Sequence, residues 1–134
     1  MNTCIAHIDQ IKSWFYKLAD MQPFFFPEKT DTDNYHFVQI DNCHSIDLFS
    51  YKTTLLPPVK HLFPDGEILL SYYKDANGHT LFKQSATVEP QILAGVRSCD
   101  LKAIHLMDDV FSDGSKDIHY CQRREKTSII AFDF

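Results

Sequence analysis

Gln91-Ile-Leu-Ala-Gly-Val-Arg-Ser-Cys-Asp-Leu-Lys-Ala-Ile-His-Leu-Met-Asp-Asp-Val-Phe111 decides how this chain is read. It opens with an apolar run, Ile92 to Val96, of the kind that fills a buried strand. The chain then turns between Gly95 and Asp100. Apolar residues next recur at Leu101, Ile104, Met107 and Val110/Phe111, the spacing of one helix face. Ser98 or Asp100 is placed to cap that helix with a side-chain oxygen, and the carboxylate also suits the positive end of the helix dipole. After a polar link, Thr127 to Phe132 is a second β-branched and aromatic run. Strand, helix, strand predicts a βαβ unit with parallel strands in one sheet. Its core is expected to hold Ile92, Leu93, Val96, Leu101, Ile104, Val110, Ile129 and Ile130.

The same turn is the first candidate site. It sets Arg97, Ser98 and Cys99 at the carboxyl end of a strand and the start of a helix, where open α/β sheets bind ligands. Unpaired amides and a guanidinium there favour an anion, and they favour the thiolate form of a cysteine. Against this stands the simpler reading of Cys99 as a half-buried residue in a structural turn. A thiol enzyme built on Cys99 is a weaker alternative, because its turn has no neighbouring base and His105 lies further down the helix.

Outward from this unit, Ile5, Ile8, Ile11, Phe15 and Leu18 step by three or four, predicting a helix over residues 4–21 capped by Thr3. It ends before Pro23. Phe24-Phe25-Phe26, between Pro23 and Pro27, reads as an aromatic wedge packed on the sheet. Tyr35 to Ile40 and Ile46 to Tyr51 are strand candidates around an Asp41-Asn42 turn, a possible hairpin. Pro57-Pro58 makes residues 51–64 an ordered, extended loop carrying Lys52 and Lys60. Glu67 to Lys74 and His79 to Gln84 flank Asn77-Gly78, a strong hairpin signal. The expected fold is therefore α+β: an N-terminal helix, mostly antiparallel strands with a hairpin, and a C-terminal βαβ unit, all in one domain.

Composition removes several functions. A net charge of −5 with no basic run beyond Arg123-Arg124 argues against nucleic-acid binding. No apolar run reaches the length of a membrane span, and no basic segment precedes a hydrophobic one at the start. Four scattered cysteines, Cys4, Cys43, Cys99 and Cys121, then suggest reduced thiols in a cytoplasm. None forms a CxxC, so the chain does not advertise an iron–sulfur or zinc site, although Cys43-His44 and His119/Cys121 are neighbours. Arg123 and Arg124 are candidates for an anionic partner, or else for ion pairs with Asp108, Asp109 or Asp113.

Three stretches together resemble a known family. They are Leu55-Leu-Pro-Pro-Val-Lys-His-Leu-Phe-Pro64 with Glu67, Gly95-Val-Arg-Ser-Cys-Asp-Leu-Lys-Ala-Ile104, and residues 117–130 with Tyr120 and Arg123-Arg124-Glu125. The family is the 4Fe-4S dicluster electron-transfer subunit, comprising the beta chain of sulfhydrogenases (soluble nickel–iron hydrogenases) and its counterpart in anaerobic sulfite reductase. Ser98 stands where the family motif has proline. The resemblance implies the N-terminal part of a longer iron–sulfur protein in the cytoplasm. It also implies partners: a flavin/NAD(P)H-oxidising subunit and a catalytic subunit. The 4Fe-4S clusters are expected in full-length relatives rather than in this chain alone. Cys99 and Arg97 are the candidate cofactor-binding residues, and Lys60, Arg123 and Arg124 the candidate partner or anion contacts. No catalytic residue and no metal ligand set is assigned within residues 1–134. The alternative is a cluster-free scaffold or interaction module that keeps the fold without redox chemistry.

Overall fold

A computed structural model describes residues 3–30, 33–41, 45–51, 53–84 and 88–133. Its main sheet is built around β5 (Gln91–Arg97), the apolar run singled out above. β1 (Phe24–Lys29), β2 (Tyr35–Gln39) and β6 (Thr127–Phe132) complete it in the order β2-β1-β5-β6. The β5–β6 pairing is parallel, as a βαβ unit requires, and runs from Gln91↔Thr127 to Arg97↔Phe132. Between these strands lie α3 (Ser98–Ser112) and, within the expected polar link, a further helix α4 (Ile118–Glu125). Asp117 starts α4 by accepting the Tyr120 backbone N–H at 2.9 Å.

β5 is buried on both faces by its own chain. Ile92 and Ala94 meet α1 (Ile8–Met21) through Phe15, together with Phe24 and Phe26 of β1. Leu93 and Val96 meet Ile104 of α3, Tyr120 of α4 and Leu62 of the short helix α2 (Val59–Leu62). Strict alternation would place Val96 with Ala94. A bulge at Gly95 shifts the register by one residue and turns Val96 to the α3 side. Gly95 has φ +79, and an added Cβ would meet the Tyr51 hydroxyl at 2.8 Å and Pro27 Cδ at 3.0 Å. Only glycine suits both demands.

Several expectations need correction. The first helix starts at Ile8, because Gln10 Oε1 takes the His7 backbone N–H at 2.9 Å and fixes the start there. Thr3 therefore caps nothing, and Ile5 is wholly exposed. Phe24-Phe25-Phe26 is no wedge but an inner strand: β1 pairs in parallel with β5 at Phe24↔Ile92 and Phe25↔Leu93. Pro27 lies beyond those pairs, so its missing N–H breaks no bond to β5. β2 pairs antiparallel with β1, not with residues 46–51. There Ile46 and Leu48 are buried with the period of a strand, but Tyr51 is buried out of phase with them. The Asp47 carboxylate, however, accepts the backbone N–H groups of Phe49 and Ser50, and bends the chain out of a ladder. Asn42, Cys43, His44 and Lys52 lie outside the described residues.

The double proline leads into one helical turn rather than a fully extended loop, since Pro58 has φ −60 and ψ −18, already helical. Val110 is 69% exposed, and Phe111, four residues after Met107, takes its place in the core. Arg97, not Ser98, is the N-cap of α3. Asp100 reaches back to accept the Arg97 backbone N–H. The Asn77-Gly78 hairpin forms as expected, from β3 (Leu70–Lys74) and β4 (Thr80–Gln84) in a separate two-stranded sheet. Gly78 supplies the positive φ of its turn, and Asp75 Oδ1 accepts the N–H groups of Asn77 and His79. The fold is α+β. No helix among the described residues is long and apolar enough to cross a membrane.

Candidate functional site

The site is the step from β5 into α3, and Gly95 sets its shape. Its carbonyl accepts a hydrogen bond from the Tyr51 hydroxyl, which is buried beneath the turn. Burial pushes the Tyr51 phenol up to about 12, against the opposing pull of the Arg97 charge. Arg97 lies over the same ring, with its guanidinium carbon 5.7 Å from the centroid, and donates to the Tyr51 carbonyl at 3.3 Å. Burial raises the Asp100 carboxyl. The Arg97 N–H and the Arg97 charge work in the opposite direction. The guanidinium is thus held between a π face, a carbonyl and a nearby carboxyl. Cys99, the second residue of α3, is a free and exposed thiol.

The structure keeps Arg97 and Cys99 together at the carboxyl end of β5. It does not bring Arg123 and Arg124 to them. Arg124 donates to the Thr127 carbonyl at 3.4 Å, and Thr127 pairs with Gln91 at the opposite end of β5. The separation along the sheet is roughly 20 Å. Each of the other candidate cations faces a carboxylate of its own chain. Arg124 Nε reaches both oxygens of Asp108 at 3.1 Å, and the Tyr120 hydroxyl donates to the same carboxylate at 2.7 Å. Burial and Asp108 both push the Tyr120 phenol upward. Arg123 makes a two-pronged pair with Glu67 at 3.0 and 2.5 Å. That pair holds the Glu67 carboxyl below its usual range, with His119 Nδ1 3.7 Å away. Lys60 reaches Asp65 at 3.0 Å.

Over most of its length the chain is similar to a hydrogenase subunit. It is 23% identical over 128 residues to sulfhydrogenase 2 subunit beta of Pyrococcus furiosus, a match covering 92% of this chain. The same match covers 35% of that protein, so the chain spans about a third of the length of the curated relative it matches. No family model matches the chain. No solved structure matches it either.

Against that similarity the thiols can be tested for a cluster. A 4Fe-4S cluster takes four thiolates. Cys4 precedes α1, Cys99 opens α3, and Cys121 lies within α4 with its sulfur 3.5 Å from the Phe111 carbonyl. Among the described residues, no three His, Cys, Asp or Glu side chains gather as a ligand set. These residues do not fit a cluster on their own.

Sequence reasoning offered an ion pair to Asp108, and Arg124 makes it, whereas Arg123 pairs with Glu67 instead. It missed Tyr51 as a partner of this turn and the Tyr120 hydroxyl as the second donor to Asp108. A signal for Tyr51 was present: a glycine inside an apolar strand marks close approach by another group. Nothing local pointed to the Tyr120 hydroxyl, which reaches Asp108 only when α3 and α4 pack.

Proposed function

We propose that this chain is the N-terminal docking domain of an iron–sulfur electron-transfer subunit in a hydrogenase-type or sulfite reductase-type oxidoreductase. The observation that carries the reading is its similarity to a sulfhydrogenase beta subunit over 92% of its length. Packing supports it, because the stretches that carry the family resemblance meet in the fold. Glu67, which follows the double-proline stretch, is held by Arg123 of the double-arginine stretch. Leu62 of the first stretch shares a buried cluster with Val96 of the second and Tyr120 of the third. On this reading the domain works in the cytoplasm between a flavin/NAD(P)H-oxidising subunit and a catalytic subunit. The 4Fe-4S clusters belong to the rest of the subunit, and the exposed Cys99 with Arg97 forms the face turned toward an anionic cofactor. Lys60, Arg123 and Arg124 act mainly within the fold, through Asp65, Glu67 and Asp108.

The test is anaerobic purification through a tag placed on the native gene, followed by mass spectrometry, iron analysis and NAD(P)H-dependent viologen reduction. The reading predicts co-purification with a flavoprotein and a catalytic subunit, and loss of the NAD(P)H-linked activity when the gene is deleted. A protein that purifies alone, with the activity intact in the deletion strain, contradicts it. The second reading, a cluster-free scaffold, is favoured by the dispersal of Cys4, Cys99 and Cys121. It predicts the same partners but an iron content that does not change when this chain is removed.

A further inference from the structure

The β3–β4 ribbon carries apolar side chains on both faces and buries none of those described. Its register sets Tyr72 opposite Phe82 on one face and Tyr73 opposite Leu81 on the other. Tyr72 and Phe82 are 73% and 68% exposed, and Tyr73 and Leu81 are 56% and 41%. A two-stranded ribbon by itself is at best marginal in water. Among the described residues neither strand pairs with any third strand, so both edges are open as well. The root of the ribbon, by contrast, is fixed. Glu67, three residues before β3, is gripped by Arg123, which also donates to the Leu62 carbonyl at 3.5 Å.

We propose that the β3–β4 hairpin is an arm that docks into an apolar cleft, rimmed by carboxylates, on a partner subunit. The proposal rests on the redox-subunit reading above for the identity of that partner. Two observations select the occupant. First, both faces are apolar, so the cover must reach both. A second copy pairing edge to edge would leave the faces wet, and one stacked face to face would cover a single face. A cleft covers both. Second, the formal charges of the hairpin are Lys74 and Lys83 against Asp75, whose carboxylate is turned onto the Asn77 and His79 N–H groups, so the arm is net positive in a chain whose net charge is −5. An arm of locally positive sign on an acidic protein is matched by carboxylates at the rim of its receptor. The hairpin thus supplies aromatic anchors at the centre of an interface and lysines at its edge, the usual distribution of binding residues.

The test compares the natively purified assembly with the isolated chain by hydrogen–deuterium exchange and by variants on each face. In the assembly, the amides of Leu70–Lys74 and Thr80–Gln84 slow by about a hundredfold or more relative to the isolated chain. The double variant Tyr72→Asp/Phe82→Asp releases the partner, and so does Tyr73→Asp on the opposite face. Each isolated variant keeps the circular dichroism and melting temperature of the parent. Unchanged hairpin exchange in the assembly overturns the proposal, as does an assembly that survives Tyr73→Asp. Hairpin protection in the isolated chain with the mass of a dimer overturns it in favour of a second copy. A redox assembly with a free hairpin sinks the arm alone. A protected hairpin in a complex without any redox subunit sinks the redox reading and leaves the arm. A chain that assembles with nothing overturns both.

Discussion

β5 and the β3–β4 hairpin are built from similar residues and end in opposite environments. β5 has five consecutive buried residues, Ile92 to Val96, whereas all five residues of β3 are exposed. The difference does not lie in strand propensity, since Leu, Tyr and Phe suit a strand as well as Ile and Val. It lies in what the rest of the chain offers. α1 covers one face of β5, and α2, α3 and α4 cover the other. The hairpin has a well-formed turn at Asn77-Gly78 and a fixed root at Glu67, but none of the described residues of β3 is buried. Local chemistry is enough to make a turn and a register. Only a partner surface makes a core.

Substitutions sharpen that contrast. The largest effect is expected at Gly95→Val, where positive φ and contact with Tyr51 and Pro27 together cost about 4 kcal/mol or more. Chemical denaturation of the variant measures it, and a loss below about 1 kcal/mol would show that the bulge relaxes freely. Leu93→Ala, at the fully buried centre of β5, should cost about 3 kcal/mol. Arg123→Ala leaves Glu67 without its main partner and should cost about 2 kcal/mol. The same pair sets an acid limit. The Glu67 pKa is lowered in the fold from its ordinary 4.5, so the pair's stability is complete above that pH. It is lost as pH falls through the lower folded value. Arg123→Ala should remove that part of the acid dependence.

Tyr51→Phe strips the Gly95 carbonyl of a buried donor and should cost about 1–2 kcal/mol. At high pH the sign reverses. The folded phenol titrates near 12, so wild-type stability falls as pH rises above the ordinary value of 10, and the variant should lack that fall. The smallest effect is expected on the hairpin: Tyr72→Ser with Phe82→Ser should change the isolated chain by less than about 0.5 kcal/mol. A loss comparable to Leu93→Ala would mean that the ribbon packs on its own chain, and the contrast would break.

The parts legible in the sequence were those whose cause is local. The βαβ unit follows from the apolar run 92–96 and the stripe Leu101, Ile104, Met107. The hairpin follows from Asn77-Gly78. The parts missed were decided elsewhere in the chain. Two flanking prolines made Phe24-Phe25-Phe26 read as a wedge packed on the sheet, yet β5 needs a neighbour, and the Pro23 carbonyl already accepts the Ile92 N–H at 2.8 Å. Residues 46–51 are apolar enough to read as a strand, but one carboxylate, Asp47, bends them. α4 is too polar to show a stripe and is held by Asp117 at its cap and by Tyr120 in the core. Of the candidate site, the Arg97–Cys99 turn was legible because it lies on consecutive residues. The pairing of Arg123 with Glu67 was not, since 56 residues separate the partners.

The most direct test of this account is residue-resolved hydrogen exchange on the isolated chain under native conditions. Amides of Leu93, Ala94 and Val96 should open only with global unfolding, while those of Tyr72, Tyr73, Leu81 and Phe82 should exchange through local opening, at least about a thousandfold faster. Protection of the hairpin equal to that of β5 would contradict the claim that its faces await a partner.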